Sequence, residues 1–528
     1  MKTKGLPLAA ALLAFAFVAT TVPAQTTSTA TVANASSATP SSIWKFDEFA
    51  KQVKNAAIPV SWGADIRVRN EYFNNALSLT TDPQLSPLFA SVHEQDYFRY
   101  RERVWASFFP TNSLTLNVRL TAEPREFMKT STMDNFYERS GVQWRYAIID
   151  NLNVQWKRPA DLPATLTVGR QDIFLGDGWL VGDGTADDGS FTYFFDSVRL
   201  TYNLEDQHTT IDAIGLLQYA RPDAWLPTLG PSGTVAGYHQ EGLLLTDQNE
   251  KGAILWVANK SLPAANLDGY FIYKHDTALN DPVPVASFGD NADIYTFGGR
   301  VSGPIEDHWK YSAEGAYQFG RKQDPELNGP NGFNPLLAPS ADTSGFRDLN
   351  AFGAKSKLSY LFKDELNNQL SLSFEFLTGD NPKTKDDEMF DVLWGRWPQW
   401  SEMYNVYSYV QETRVGQTAN LLRLGPTWSL SPTKKMDFSI TYYALFANQD
   451  VPTRDMNETF LPANGGPAIQ GPFSCTDDFR GHYLQAILKY KFNNYVSAHL
   501  WSEFLWEGDF YAKQQMMDFL RAEVMFTF

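Results

Sequence analysis

Apolar and polar side chains alternate at every second residue along most of this 528-residue chain. In the stretch Leu114–Leu120, leucine and valine occupy the even positions, whereas Thr, Asn and Arg occupy the odd positions. Successive side chains of a β-strand point to opposite faces, so each such stretch is predicted to be a strand with one apolar and one polar face. The alternation is least regular in Gly169–Gln171 and Ala253–Ala258. About eighteen segments show the pattern, centred on Ile66, Arg103, Arg119, Asn153, Arg170, Arg199, Ala213, Leu255, Phe271, Gly298, Glu314, Ser356, Ser373, Leu424, Thr441, Ala486, Leu500 and Ala522.

The connections between these segments alternate in length. Pro110–Asn112 is short, whereas Tyr72–Gln95 before it and Phe127–Tyr146 after it are long. The same order continues to the end of the chain, where Gly379–Gln417 is long and Ser431–Lys435 is short. Outer-membrane barrels have short periplasmic turns and long external loops. The pattern therefore predicts an all-β fold, a transmembrane antiparallel β-barrel of about eighteen strands over residues 58–528.

The first 24 residues have the composition of a secretory signal peptide. Lys2 and Lys4 form a charged start, Leu6–Val18 is apolar, and Val22–Ala24 is a small-residue cleavage site. We expect this segment to be removed on export from the cytoplasm.

A polar segment follows, over residues 25–57. Thr26–Ser42 is rich in Ser, Thr and Ala, which is typical of a disordered linker. Ile43–Ala57 has apolar residues at helical spacing and is a candidate for a short periplasmic helix, with a frayed segment as the alternative.

The last segment, Leu520–Phe528, alternates in phase and ends in phenylalanine. A terminal aromatic residue on an amphipathic last strand resembles the signal that the barrel-assembly machinery of Gram-negative bacteria recognises. We therefore predict a location in the bacterial outer membrane, with the apolar strand faces in contact with lipid. Aromatic residues near strand ends, such as Phe108–Phe109 and Tyr442–Tyr443, are typical of interfacial girdles.

Several other functions are disfavoured by composition. A formal charge of −16 argues against non-specific nucleic-acid binding. Cys475 is the only cysteine, so an intrachain disulfide and a thiolate zinc site are excluded. No nucleotide motif and no Gly-x-Ser-x-Gly is present, and no cofactor is predicted. Oxygen-rich Asp183, Asp187 and Asp188 are a weak calcium candidate, with a solvated turn as the alternative.

If the apolar faces contact lipid, the polar faces line a lumen. In Phe98–Trp105 three arginines occur at a spacing of two and would share that inner face. Glu102 is out of phase, which indicates an interfacial position or a bulge. The inner faces carry a surplus of cations, and the acidic surplus lies in the long loops such as Asp177–Asp188. The candidate pore-lining residues are Arg67, Arg69, Arg99, Arg101, Arg103, Arg119, Arg199, Arg300, Arg423, Glu123 and Glu375.

Arginine suits an anion-conducting wall, because its planar guanidinium binds carboxylates and phosphates bidentately and stays charged. Rings of cationic side chains select anions in pores. The alternative is structural, since arginines opposite glutamates would also cross-link a wide barrel that lacks an apolar core. The sequence leaves both roles open.

Two loop regions and the closing hairpin resemble the alginate-export family of bacterial outer-membrane β-barrel proteins, over roughly Ile58 to Phe528. The stretches that carry the resemblance are Thr167–Gln171, Gly178–Thr185, Phe194–Leu200, Thr378–Asp380, Phe390–Asp391, Arg396–Glu402, Tyr490–Phe492, His499–Glu503 and Gly508–Asp509. The resemblance implies an eighteen-stranded barrel. It also implies an arginine-rich constriction, with Arg67, Arg99, Arg101, Arg119 and Arg199 in that role by position.

The leading prediction is a passive outer-membrane channel that exports an anionic polysaccharide or another anionic solute, with periplasmic export partners as candidates for assisting it. A solute-uptake porin is the alternative within the same class. An outer-membrane barrel enzyme acting on lipid or polysaccharide is the alternative from another class, although no catalytic motif supports it.

Overall fold

The computed structural model describes residues 59–75, 94–128, 141–143, 147–182, 194–220, 225–226, 234–235, 238–239, 248–280, 287–288, 291–323, 346–381, 384–395, 399–404, 419–449, 474, 477–511 and 514–528. The predicted signal peptide, linker and short periplasmic helix lie outside the described residues. The calcium candidate Asp183, Asp187 and Asp188 also lies outside them.

The chain forms a closed antiparallel barrel of 18 strands. The strands are β1 Val60–Asn74, β2 Glu94–Phe108, β3 Leu114–Ala122, β4 Ala147–Lys157, β5 Ala164–Gln171, β6 Phe195–Leu204, β7 Thr209–Gln218, β8 Gln248–Leu262, β9 Ala265–Asn280, β10 Ala292–Ile305, β11 Trp309–Gln323, β12 Phe346–Leu361, β13 Gln369–Leu377, β14 Leu421–Thr433, β15 Met436–Phe446, β16 Phe479–Lys491, β17 Val496–Glu507 and β18 Met516–Thr527. Each strand pairs with the next, and β1 pairs with both β2 and β18. Every predicted strand centre lies within one of these strands, so the all-β prediction is confirmed.

The two ends of the barrel differ in their connections. At the periplasmic end the hairpins are tight: Leu262 pairs with Ala265, and Thr433 pairs with Met436. At the extracellular end long loops connect the strands, as between β13 and β14. Five short segments of strand lie in the described parts of these loops, at Arg125–Phe127, Gly141–Gln143, Ser287–Phe288 and the pair Thr234–Val235 with Tyr238–His239. The predicted alternation of short turns and long loops is therefore confirmed.

The outer face of the barrel is apolar. Ile66 on β1 is 50% exposed and Val104 on β2 is 56% exposed, whereas Asp65 and Arg67, the sequence neighbours of Ile66, are 3% and 1% exposed. The same alternation recurs on other strands, with exposed outer side chains that include Leu116, Val118, Leu152, Val154, Val168, Val198, Leu255, Phe297, Leu370, Leu372, Leu424 and Leu500. Such a band is what a hydrocarbon environment requires of a barrel.

Aromatic side chains accumulate on this outer face near both ends. Trp309 and Tyr360 pack with ring centroids 4.9 Å apart close to the periplasmic turns. Nearer the extracellular end, Phe271 lies 4.8 Å from Phe297, and Tyr295 lies 5.3 Å from Phe319. Amphipathic rings prefer the membrane–water interface, so these two groups mark its two levels.

The lumen contains an apolar core of its own. The inner faces of β8–β10 carry Ile254, Trp256, Ile272 and Ile294, which are at most 4% exposed. Loop residues that follow β5 and β13 pack against them. The sequence predicted polar inner faces throughout, and this sector differs because inward loops rather than water cover it. Among the described residues, no helix is long and apolar enough to cross a membrane.

Candidate functional site in the barrel lumen

A seam of arginines lines the inner face of β1, β2 and β18, formed by Arg67, Arg69, Arg99, Arg101, Arg103 and Arg521. The register between β1 and β2 sets Arg67 opposite Arg101 and Arg69 opposite Arg99. These four side chains are between 0% and 3% exposed. Like charges directly opposite each other on neighbouring strands repel, so the seam needs carboxylates to hold it.

Glu71 and Glu523 are the main counter-charges of the arginine seam. Glu71 accepts a hydrogen bond of 3.2 Å from Arg99 and one of 2.8 Å from Arg521. Glu523 accepts one of 2.7 Å from Arg69 and lies 3.6 Å from Arg67. Glu71 therefore bridges arginines of β2 and β18, whereas Glu523 of β18 binds two arginines of β1.

Arg101 is held more loosely than its neighbours. Its Nε lies 3.6 Å from Asp65, and the same carboxylate accepts a hydrogen bond of 2.8 Å from Arg103. Arg101 donates to the sulfur of Met525 at 3.8 Å. Its Nε and Nη1 have no hydrogen-bond partner among the described residues. This guanidinium therefore has two buried donors that no described group accepts.

Glu123 adjoins the seam just after β3. Its Oε1 accepts a hydrogen bond of 3.4 Å from Arg67, and its Oε2 has no hydrogen-bond partner. At 6% exposure it is buried beside the arginine seam.

Arg119 lies on β3, away from the seam, and is fully engaged. It donates to Asp150 at 2.8 Å and forms a bidentate pair with Asp172 at 2.7 and 2.8 Å. The sequence did not predict Asp150 as a lumen residue, because the register between β3 and β4 shifts after Arg119. A bulge of this kind moves a side chain to the other face.

Arg199 on β6 is bound in a similar way. It donates to Asp212 on β7 at 2.8 Å, and Asp212 also contacts Thr201. Arg119 and Arg199 therefore lie in the lumen but do not join the arginine seam, and their contacts support the structural alternative.

The loop after β5 brings Asp177 to the opposite wall. Its carboxylate accepts a hydrogen bond of 2.6 Å from Arg300 on β10 and lies 3.7 Å from Lys355 on β12. Arg300 also contacts Asp268 at 3.4 Å. The sequence placed the acids of Asp177–Asp188 in a long loop, and the contact with Arg300 shows that this loop folds inward at Asp177.

The loop after β13 is attached to the same wall through Asp391. This carboxylate lies 3.7 Å from Lys274 and 3.6 Å from Lys322. Gln318 on β11 donates to its backbone carbonyl at 2.6 Å and accepts from its backbone N–H at 2.8 Å. We call Lys274, Arg300, Lys322 and Lys355 the loop-anchoring cations.

The two loops also bind each other. Gly182 donates to the carbonyl of Trp394 at 3.0 Å, and Trp394 donates to that of Leu180 at 3.0 Å. Trp179 and Phe390 stack with centroids 5.5 Å apart. Gly178–Gly182 and Phe390–Asp391, which are parts of stretches that resemble the alginate-export family, thus belong to a joint inward structure. The sequence did not predict it, because loops have no periodicity.

Arg423 and Glu375 belong to this inward structure. Arg423 on β14 pairs with Glu375 on β13 at 3.2 Å and lies 4.3 Å from the ring centroid of Tyr443. Glu375 also accepts a hydrogen bond of 3.2 Å from Trp179 of the inward loop. Both residues lie in the lumen, and both help to anchor a loop.

Glu102 points to the outer face, opposite Ile66. Pairing between β1 and β2 continues through this position without interruption, so a bulge is excluded there. Its Oε2 has no hydrogen-bond partner among the described residues. No group of three or more described His, Cys, Asp or Glu residues could hold a metal ion.

Comparison with known proteins agrees with this architecture. Residues 58–524 match the model of the family described as alginate export. The Acinetobacter baumannii protein OccAB1 is similar in structure, with a TM-score of 0.50 and 10% identity over 90% of this chain and 98% of its own. Pseudomonas aeruginosa OccK8 (OprE) has a TM-score of 0.48 at 11% identity, covering 88% and 98% of the two chains. No curated protein matches the sequence. Since the family match spans most of the chain, this outer-membrane barrel belongs to the alginate-export family.

Proposed function

We propose that the protein is an anion-selective outer-membrane channel that passes an anionic polysaccharide from the periplasm to the exterior. The observation that carries the proposal is the arginine seam, where two like-charged pairs face each other across β1 and β2. The export direction rests on the family to which the chain belongs.

The charge balance of the seam favours an anion. Within the described part of the chain, its six arginines face four wall carboxylates, Asp65, Glu71, Glu123 and Glu523. Glu402 of the inward loop adds a fifth at 3.0 Å from Arg521. Burying charge without a full counter-charge costs free energy. We expect a protein to retain such a cost where the surplus positive charge binds a ligand. A carboxylate of the transported polymer would supply the missing negative charge.

The spacing of the seam suits a polymer. Arg99, Arg101 and Arg103 follow each other at every second residue of β2, so their guanidinium groups form a ladder along the strand. Conduction requires sites that bind well enough to admit an ion and weakly enough to release it to the next one. Arg101, with its loose contacts, meets this condition in the middle of the ladder.

Planar-bilayer recording tests the proposal. The wild-type channel should be anion-selective in a salt gradient, and its current should be blocked by polyuronate. Arg101→Gln should reduce the ratio of anion to cation permeability about fivefold, since a unit charge at a few ångströms is worth about 1 kcal/mol in water.

Arg347→Gln is the matched control. Arg347 lies near the extracellular end of β12 and pairs with Asp380 at 2.8 Å, away from the seam. Its replacement removes the same charge from the protein and should leave selectivity unchanged. Cation selectivity of the wild type, or equal effects of the two variants, would contradict the proposal.

Two further measurements test the alternative functions, a solute-uptake porin and a barrel enzyme. Net movement of small anions into liposomes without polyuronate block would favour a solute-uptake porin. Hydrolysis of lipid or polysaccharide by the purified barrel would favour an enzyme.

A further inference from the structure

We infer that a ring of lysines at the periplasmic end of the lumen is a capture site for flexible polyanions, distinct from the arginine seam. The inference rests on the proposed function and extends it, because it locates where a polymer first binds. The lysine ring consists of Lys157, Lys260, Lys310, Lys357, Lys489 and Lys491.

Strand register places the lysine ring on the inner wall. Lys310 on β11 pairs with Ser359, which is 5% exposed on the inner face of β12. Lys357 pairs with Ser373 of β13, another inner residue that is 7% exposed. Lys157 ends β4 in phase with Asn153, whose side chain also points inward. All six lie at or near the ends of strands that lead into the short periplasmic turns.

The lysine ring differs in pairing from the cations deeper in the lumen. All six side chains are exposed, and none is ion-paired with a described carboxylate. The loop-anchoring cations, in contrast, each lie within 3.7 Å of a carboxylate on an inward loop. The charges of the lysine ring therefore remain available to a ligand.

Some acidic residues occur at the same end of the barrel. Asp437 is the cross-strand neighbour of Lys489, and it accepts a hydrogen bond of 2.6 Å from Ser431. Asp364 and Glu365 belong to the turn after β12 and not to the inner wall. Asp268 on β9 interacts electrostatically with Lys260 and also contacts Arg300 at 3.4 Å. With six lysines against Asp437 and Asp268, the described inner wall at this level keeps a cationic surplus.

The chemistry of lysine suits capture rather than tight binding. Its ammonium group is strongly hydrated and mobile, whereas the planar guanidinium of arginine forms fixed bidentate contacts. A single contact between a lysine and a carboxylate is weak. A polymer with many carboxylates can contact several lysines at once, and its first contact raises the effective concentration for the others. The ligand class is therefore a flexible polyanion such as a polyuronate chain, and small anions should gain little.

Side-specific block in planar bilayers tests the inference. A length-fractionated oligouronate is added to one side at a time, with channel orientation assigned by an antibody to a tag in the loop before β14. We expect faster block from the periplasmic side than from the extracellular side. The variant with Lys157, Lys310, Lys357 and Lys489 replaced by Gln should lose about tenfold in the periplasmic on-rate, in line with known effects of electrostatic steering.

A matched variant replaces four exposed lysines outside the lysine ring, Lys251, Lys363, Lys385 and Lys434, by Gln. It has the same net charge as the ring variant and should keep the wild-type on-rate. Both variants should insert as channels, and the matched variant should keep the wild-type selectivity for chloride over potassium.

The outcomes separate this inference from the proposed function. Anion selectivity with equal block from both sides, or with no effect of the ring variant, would overturn the capture site alone. Loss of anion selectivity in the wild type would overturn the proposed function itself.

Discussion

The arginine seam and the loop-anchoring cations line opposite parts of one lumen but contact different partners. In the seam, Arg67 and Arg69 face other arginines and share carboxylates that belong to the wall. Across the lumen, Arg300 and Lys274 contact Asp177 and Asp391, which come from inward loops. A cation on an inner face can therefore be placed to bind a solute or to hold a loop against the wall. The residues that it contacts distinguish these two roles.

The largest expected effect tests the structural role of a lumen arginine. Arg119→Met should destabilise the barrel by about 3–5 kcal/mol, because it leaves Asp150, which is 0% exposed, as an uncompensated buried charge. Denaturant unfolding in detergent measures the change.

Arg101→Met in the same assay is the control for this comparison. Because Arg101 has few contacts to lose, its replacement should cost clearly less free energy of unfolding than that of Arg119. The combination Arg119→Met with Asp150→Asn should recover part of the loss. Equal losses for the two single variants would show that pairing does not separate the roles.

A smaller effect is expected when an inward loop is released. Asp391→Asn removes the charge that Lys274 and Lys322 hold, at a cost of about 1–3 kcal/mol for the contact. The loop should leave the wall more often, and single-channel recordings should show higher or more variable conductance.

Asp386→Asn on the same loop is the matched control, because no loop-anchoring cation contacts its carboxylate. It should leave conductance unchanged. A conductance identical to wild type in Asp391→Asn would mean that the loop is held by apolar packing of residues such as Trp179 and Phe390 alone.

The smallest effect is expected on the outer face. Glu102 has an unpartnered carboxylate oxygen beside lipid-facing Ile66. Glu102→Leu should therefore stabilise the barrel by about 1 kcal/mol, since charged groups on a lipid-facing surface are unfavourable. Unfolding of the barrel in lipid vesicles measures this, and a loss of stability would indicate that Glu102 has a partner in the membrane.

Much of the fold was predictable because its information is local. A period of two along a strand and the length of a turn are properties of short stretches, and the period is clear in nearly every strand. The exception is instructive: Ala253–Ala258 alternates poorly because Ile254 points to the packed inner core while Leu255 points to lipid. Where both faces of a strand are buried in apolar surroundings, alternation disappears.

The roles within the candidate site were less predictable. The sequence placed Arg119, Arg199, Arg300 and Arg423 in the lumen together with the seam, and it could not assign them different contacts. Asp150 was missed because a register shift changes its face. Asp177 and Asp391 were missed because nothing in a loop sequence indicates that it folds inward.

By itself, the sequence determined the eighteen strands, their inner and outer faces, the two ends of the barrel and the family. The tertiary structure alone decided which charges meet, because closure of the barrel joins residues at opposite ends of the chain. Arg69 reaches Glu523 at 2.7 Å only because β1 pairs with β18. Cross-strand register and inward-folding loops bring together residues that are far apart in sequence. No local sequence pattern predicts these contacts.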